Sequence, residues 1–323
     1  MDRAATGLPF DDIRRLIEGP PLPDNEAADS VRSQSEAGLG KLQDVGEWLA
    51  AWQGRPNPAI TQPLVAVFAA NHNILDQGVT DDAMSATQAR VELIAAGGAA
   101  VSRAALQSNV GLKVFDLALD LPTPDISLED ALDEAGCAAT MAFGMEAIAG
   151  GADLLCVTDL GAGNRTVAAA VALALFGGTA EDWLAGEPTD TKGQNQKRAV
   201  ESAVARLEGD VSDPLEVLRR VGGREFAAIA GAILAARYQK IPVLLDGPVS
   251  VAAAAVLRAL NPATIAHCRA THADADGGHH RLLTELGLEP LLDLRLQGRS
   301  GLGSVLAVDL CRSAAVAVQI PGA

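Results

Sequence analysis

The stretch Asp153-Leu-Leu-Cys-Val-Thr-Asp-Leu-Gly-Ala-Gly-Asn-Arg-Thr-Val-Ala-Ala-Ala constrains the fold of this chain more than any other. It reads as a short apolar strand, a tight glycine turn carrying polar side chains, and an alanine-rich helix. Gly161 and Gly163 let backbone N–H groups face outward, and the start of the helix adds the positive end of its dipole. Such a turn cradles a phosphate. Asn164, Arg165 and Thr166 lie on its first helical turn, and Asp159 stands at the lip where chemistry would happen. The same Gly-x-Gly pattern also serves as a plain turn.

Runs of the same apolar kind recur at Leu64–Phe68, Lys113–Leu119, Leu154–Val157 and Pro242–Asp246, with a further strand expected from Thr264. Between them lie helical stretches at Ala131–Ala149, Thr166–Leu175, Phe226–Ala236 and Val249–Leu260. This alternation predicts an α/β fold whose parallel sheet is joined by right-handed crossovers. The composition agrees: 49% of the residues are hydrophobic but only 3% are aromatic, so the core is built from Ala, Leu and Val, which lets helices approach a sheet closely. The first 60 residues look helical and polar, with helices at Asp11–Glu18 and Leu42–Trp52 and breaks at Pro20-Pro21, Pro23 and Pro58. The polar stretch Thr179–Lys197 reads as a mobile loop.

A net charge of −16 argues against nucleic acid or an anionic membrane as partner, so any phosphate must be held locally by backbone dipoles and a few cations. The four cysteines are far apart and fit no metal or redox spacing; reduced thiols in a cytoplasmic protein are expected. No signal peptide is read at the N-terminus. The longest apolar runs, Val167–Gly178 and Phe226–Ala236, reach about a dozen residues and are too short for a membrane span.

Ligands of parallel sheets bind outside the carboxyl ends of the strands. The residues expected at that rim are Asn71 and His72, Asp116 or Asp120, Asp159, and Asp246. His72 reads equally as a hydrogen-bonded structural histidine, and Asp246 as a cap on the helix that follows it. Four of the five histidines fall between His267 and His280, beside Asp274 and Asp276. Their residue types suit a metal but their spacing matches no zinc pattern, so a polar loop, with no metal and no cofactor, is expected.

Beyond these patterns, the chain resembles the nicotinate-nucleotide–dimethylbenzimidazole phosphoribosyltransferases of cobalamin lower-ligand synthesis over almost its whole length. The resemblance rests on Gly7-Leu-Pro-Phe-Asp-Asp, Leu49-Ala-Ala-Trp, Pro63-Leu-Val-Ala-Val-Phe-Ala-Ala-Asn-His, Gly78-Val-Thr and Gly97-Gly-Ala-Ala. It continues through Gly111-Leu-Lys-Val-Phe-Asp, Cys137-Ala-Ala-Thr-Met-Ala-Phe-Gly-Met-Glu, Asp213-Pro-Leu-Glu-Val, Gly222-Gly-Arg-Glu and Gly231-Ala-Ile-Leu-Ala-Ala-Arg. It implies a Rossmann-like parallel sheet over residues 61–290 and a small helical domain formed by residues 1–60 and 291–323. It also implies a homodimer, and attack of a benzimidazole nitrogen on the ribosyl C1 of nicotinate mononucleotide, with a carboxylate taking the benzimidazole proton.

Departures from the family pattern gather at ligand-facing positions. The phosphate-loop pattern Gly-Glu-Met-Gly-Ile-Gly-Asn-Thr-Thr falls on Thr158–Thr166; Gly161, Gly163, Asn164 and Thr166 fit, Asp159 replaces Glu, and Arg165 replaces Thr. The pattern Met-Arg-Leu-Gly-Glu-Gly-Thr-Gly, which supplies the family's catalytic base, falls on Leu296–Gly303 and puts Ser300 at the base position. A serine hydroxyl does not accept a proton near neutral pH without a base of its own. Gly186-Glu-Pro-Thr-Asp stands where the family has Gly-Pro-Gly-Thr-Gly, Gln34-Ser-Glu-Ala where it has Lys-Pro-Pro-Gly, and His72-Asn where His-Gly is usual. Gln88 matches a glutamine the family places near the benzimidazole, its other reading being a solvated helix position. The expectation is a family member with impaired or altered chemistry. The alternative is a non-catalytic nucleotide- or benzimidazole-binding homologue, such as the degenerate partner of a heterodimer with an active homologue.

Overall fold

A computed structural model describes residues 7–184, 186, 188–207, 213–274, 277–296 and 301–320. Three helices open the chain: α1 (Phe10–Glu18), α2 (Asn25–Gln34) and α3 (Lys41–Gln53). β1 (Pro63–Ala69), α4 (Ser85–Ala95), α5 (Ala100–Gln107), β2 (Gly111–Asp116), α6 (Glu134–Met145), β3 (Leu154–Leu160) and α7 (Asn164–Phe176) follow. The second half comprises α8 (Thr191–Ala205), α9 (Pro214–Val217), α10 (Arg224–Tyr238), β4 (Val243–Leu245), α11 (Pro248–Leu260), β5 (Cys268–His272), α12 (Gly277–Leu286), β6 (Pro290–Leu292) and α13 (Leu302–Ala317).

The six strands form one parallel sheet in the order β2-β1-β3-β4-β5-β6. Every residue of β1 is buried, as a continuous apolar run requires when both faces are covered. Leu64, Ala66 and Phe68 point into a core shared with α1, α6, α7, α10 and α11, while Val65, Val67 and Ala69 point into one shared with α3, α5 and α13. The sheet order reverses between β1 and β3, and it is at such a switch point that a crevice opens beyond the strand ends.

Near the two ends of the chain, α3 and α13 pack together: Cys311 and Ala314 lie in one core with Trp48, Leu49 and Trp52, and Val318 lies flush against Gly46. α1 lies on the other side of the sheet, where the Phe10 amide donates to Glu134 of α6 at 2.9 Å.

The expected strand at Thr264 is corrected. Asn261 accepts from the Ala263 amide and Pro262 starts a 3-10 turn over Pro262–Ile265, so the strand begins only at Cys268. β6 is three residues long and carries no readable period. The second half of the expected loop Thr179–Lys197 is helical, because the Asp190 side chain caps α8 by accepting from the Gly193 amide at 2.7 Å. β2 is shorter than expected and half-exposed, as befits an edge strand.

Alanine and glycine make the tightest helix contact possible. At the crossing of α6 and α10, a Cβ on Gly144 would lie 1.9 Å from the Ala228 carbonyl oxygen, and one on Gly231 would lie 1.9 Å from that of Met141. Both neighbours are backbone and have no rotamer by which to yield. Gly231→Ala is therefore expected to cost about 3 kcal/mol, at the upper end of overpacking penalties, read as a lowered urea midpoint. An unchanged midpoint would contradict this packing.

Candidate active site

A cavity of about 220 Å³ lies beyond the ends of β3, β4 and β5. Its wall is the turn between β3 and α7. Gly163 has φ +82° and precedes the first residue of α7; a Cβ there would press on Ile74 and Leu75 at 3.1 Å. A Cβ on Gly161 would sit 2.6 Å from the Ala70 carbonyl oxygen. The turn thus lies flush on the end of β1, and only glycine allows it. Beyond it, α7 starts with no side-chain cap, so the first amides of a thirteen-residue helix face the cavity region without a side-chain oxygen from the N-cap.

Asp159 lines this cavity and is half-buried, with Asn164 Nδ2 donating to its Oδ2 at 2.8 Å. Burial, and after it the negative charge of Glu225, push the Asp159 carboxyl up to about 7, with Asp246 adding a little. The Asn164 hydrogen bond and the Arg165 charge pull the other way without reversing the shift.

Opposite stands a buried ionic group. Asp246 Oδ1 meets His272 Nε2 at 2.8 Å, and Oδ2 accepts from the Ser304 amide at 2.8 Å and the Ser304 hydroxyl at 2.7 Å. His272 Nδ1 lies 3.4 Å from Asp274 Oδ1, within ionic reach but outside hydrogen-bond geometry. The other oxygen of Asp274 is ion-paired with Arg165. Burial would lower the His272 imidazolium, but the Asp246 hydrogen bond and charge, then Asp274, outweigh it, and its pKa is raised. Thr80, Asp82, Arg90 and Gln196 complete the polar lining, with Arg90 and Asp82 paired at 2.8 Å.

Of the residues singled out in the sequence, Asp159, Gly161, Gly163, Asn164, Arg165, Thr166 and Asp246 meet around the cavity. Asp246 is a cap, but of α13, through Ser304; the helix that follows it starts with Pro248 and has no side-chain cap. His72 is fully buried away from the lining, its Nε2 2.5 Å from Glu225 Oε1. Asn71 is also buried, donating to the Leu119 carbonyl, and Asp116 accepts from the Leu119 amide. Gln88 is exposed on α4 and donates to Glu92 at 2.9 Å, outside the lining. Ser300 lies outside the described residues.

Sequence reasoning missed Arg90 and Gln196 as lining residues and singled out His272 and Asp274 only as members of the histidine window, read as a polar loop. The last two end β5 or follow it directly, so a correctly placed fifth strand would have flagged them. Within the histidine window the fold keeps His272, Asp274 and His279 together and turns His267 away from them. His267 faces the core, its Nε2 3.1 Å from the Ile233 carbonyl, and burial and then Arg237 pull it down to about 3. His279 Nδ1 accepts from the Asp274 amide at 3.1 Å. Among the described residues, no group of three or more His, Cys, Asp or Glu could hold a metal ion, and no helix is long and apolar enough to cross a membrane.

Comparison with known proteins converges on one family. The sequence pattern of a family described as Phosphoribosyltransferase matches residues 25–320. Nicotinate-nucleotide–dimethylbenzimidazole phosphoribosyltransferase of Sinorhizobium medicae is 52% identical over 321 residues, 97% of this chain and 94% of its own. The protein of that name from Brucella anthropi is 52% identical over 322 residues, 97% of this chain and 95% of its own. The crystal structure of the Thermus thermophilus enzyme superposes with a TM-score of 0.84 at 33% identity, over 92% of this chain and 96% of that one. At this identity and likeness of fold over almost its whole length, the chain belongs to the nicotinate-nucleotide–dimethylbenzimidazole phosphoribosyltransferase family.

Proposed function

We propose that this chain transfers the phosphoribosyl group of nicotinate mononucleotide to a benzimidazole-type base, with Asp159 taking the proton and with turnover impaired or altered relative to its relatives. The observation that carries the reading is the Asp159 carboxyl beside the uncapped start of α7, with its pKa pushed up to about 7. A group with that pKa is matched to accept a proton near neutral pH. Gly161, Gly163, Asn164 and Thr166 frame the phosphate at the positive end of α7, and Arg165 supplies the cation that an acidic protein must bring to the spot.

In the reaction, one azole nitrogen attacks ribosyl C1 as the bond from C1 to the nicotinate nitrogen breaks. The bonding pair leaves with nicotinate, which neutralises its pyridinium. The hydrogen on the other azole nitrogen passes to Asp159. Asp159 carries this step in the proposal because a serine at position 300 has no proton-accepting capacity of its own. Asp246, which lines the same cavity as Asp159, and the more distant His72 and Gln88 complete the proposed substrate-binding residues. His72 and Gln88 would act by supporting the site, since neither lines the cavity.

The proposal extends to assembly and place. Two copies pair, in keeping with the half-exposed edge strand β2 and the exposed Phe143 beside Phe115. The protein works in the cytoplasm, in keeping with four buried, unpaired cysteines.

Purified protein given nicotinate mononucleotide and dimethylbenzimidazole is expected to release nicotinate, with kcat falling on the acid side of about pH 7 as Asp159 becomes protonated. Binding of both compounds without any nicotinate release would reject catalysis and favour the non-catalytic homologue. Asp159→Asn should lower kcat by about 10²–10⁴-fold. The same substitution should stabilise the fold, with a definite sign. The folded-state pKa is raised, so the stability Asp159 contributes is present at low pH and lost as pH rises through about 7. The variant's gain in Tm should therefore be larger at pH 8 than at pH 5; an equal or reversed gain would contradict the raised pKa.

A further inference from the structure

The two carboxylate oxygens of Asp159 stand in different surroundings. Oδ2 accepts a hydrogen bond from Asn164 Nδ2 at 2.8 Å. Oδ1 accepts none from the described residues and is open to the cavity, on the side of the loop after β4, where a Cβ on Gly247 would lie 3.7 Å from it. An ionised carboxylate has only acceptors, so the amide nitrogen of Asn164, and not its oxygen, is the group turned toward Asp159. Asn164 is itself buried, at 3% exposure, and its amide lies across Gly161, where a Cβ would stand 3.0 Å from Nδ2. The donor is therefore held in place by the same turn that opens α7.

That contact matters because the last torsion of an aspartate is soft. Its preferences are broad and roughly two-fold, so without a partner the carboxylate would swing. A hydrogen bond to an ionised acceptor is also stronger than one to a neutral acceptor, so Asn164 grips the base form of Asp159 and loosens once the carboxyl is protonated. Of the charged groups that act on Asp159, Glu225 at the start of α10 and Asp246 after β4 oppose its ionisation, while Arg165 on α7 favours it, as Asn164 does. His272, Asp274, Asp82 and Arg90 line the same cavity.

We propose that Asn164 is a positioning residue for the proton transfer: by holding Oδ2, it turns Oδ1 of Asp159 into the cavity as the atom that takes the azole proton. In that step the azole N–H bond breaks with its electron pair staying on the ring, and a bond from the hydrogen to Oδ1 forms. This deepens the function proposed above and rests on its reading of Asp159 as the base. It gives the Asn164 side chain a task separate from the phosphate, which the backbone amides at the start of α7 can receive without it.

The test compares the full-length wild type, Asn164→Ala, Asp159→Asn and the double variant in steady-state release of nicotinate across pH, with circular dichroism to check folding. Asn164→Ala is expected to lower kcat at neutral pH about tenfold, the effect of losing one hydrogen bond to a charged group, while KM for nicotinate mononucleotide changes by less than about twofold. The acid limb of its kcat profile should move to higher pH than the wild-type limb at about 7, because a contact that favours the ionised carboxylate is gone. In the Asp159→Asn background the same substitution should cost nothing further. A raised KM with kcat and the acid limb unchanged would make Asn164 a phosphate contact and overturn the inference, as would a full additional loss in the double variant. If Asn164→Ala fails to fold, Asn164→Leu, which keeps the branched shape and lacks the donor, is held to the same expectations. A wild type that releases no nicotinate would reject the proposed function itself, and an Asp159→Asn variant as active as the wild type would reject Asp159 as the base. The orienting contact is then decided separately by carboxyl-carbon NMR of aspartate-labelled protein, with the Asp159 signal assigned by its loss in Asp159→Asn. Titration of that signal at higher pH in Asn164→Ala than in the wild type supports the contact, and an unmoved titration overturns it.

Discussion

Asp246 stands just past a strand buried on both faces, where an unpaired carboxylate would cost several kcal/mol. Its two oxygens are satisfied by partners far apart in sequence, His272 at the end of β5 and Ser304 in the first turn of α13. Removing His272 would leave a buried carboxylate without its ionic partner, which is worse than losing the single hydrogen bond of the Ser304 hydroxyl. The floor of the cavity is therefore held by one anion that joins two strands of the sheet to the closing helix. The raised pKa of His272 follows from that union, since Asp246 is its strongest favourable partner.

The surrounding core explains why the anion can be placed so deeply. Alanines line both α7 and α11, and glycines let α6 cross α10 at backbone contact. Helices built this way lie near the sheet and leave few voids. The cost is intolerance: where contact is backbone to backbone, no side chain can rearrange to admit a methyl group. The same economy appears at the site, where Gly161, Gly163 and Gly303 set the separation between a turn, a strand end and an imidazole ring.

Much of the sheet was legible because its strands are buried on both faces. Leu64–Phe68 and Leu154–Val157 read as unbroken apolar runs, and the glycine turn after the latter announced the start of α7. The fifth strand, Cys268–His272, was misplaced because its sequence Cys-Arg-Ala-Thr-His contains an arginine and a histidine. Its histidine is polar for the sake of Asp246, so the residue that makes the site also hides the strand. Asp246 was read as a rim residue or as a cap on the nearest helix; its capping of α13 stayed hidden, since local sequence carries no sign of a partner 58 positions away. His72 was placed at the rim by the rule of strand ends or else read as a hydrogen-bonded structural histidine. Its pairing with Glu225 across 153 residues draws it into the interior, a contact that a linear reading has no means to see.

α13 supplies the amide and hydroxyl of Ser304 to Asp246, and it begins at residue 302, after every strand. During synthesis, which runs from the N-terminus, the whole sheet emerges before this helix exists. A nascent chain can therefore assemble the glycine turn and the start of α7 while Asp246 and His272 still lack their last neighbour. The pocket matures only once α13 has emerged, so a chain stopped short of α13 would carry a complete sheet around an unfinished site.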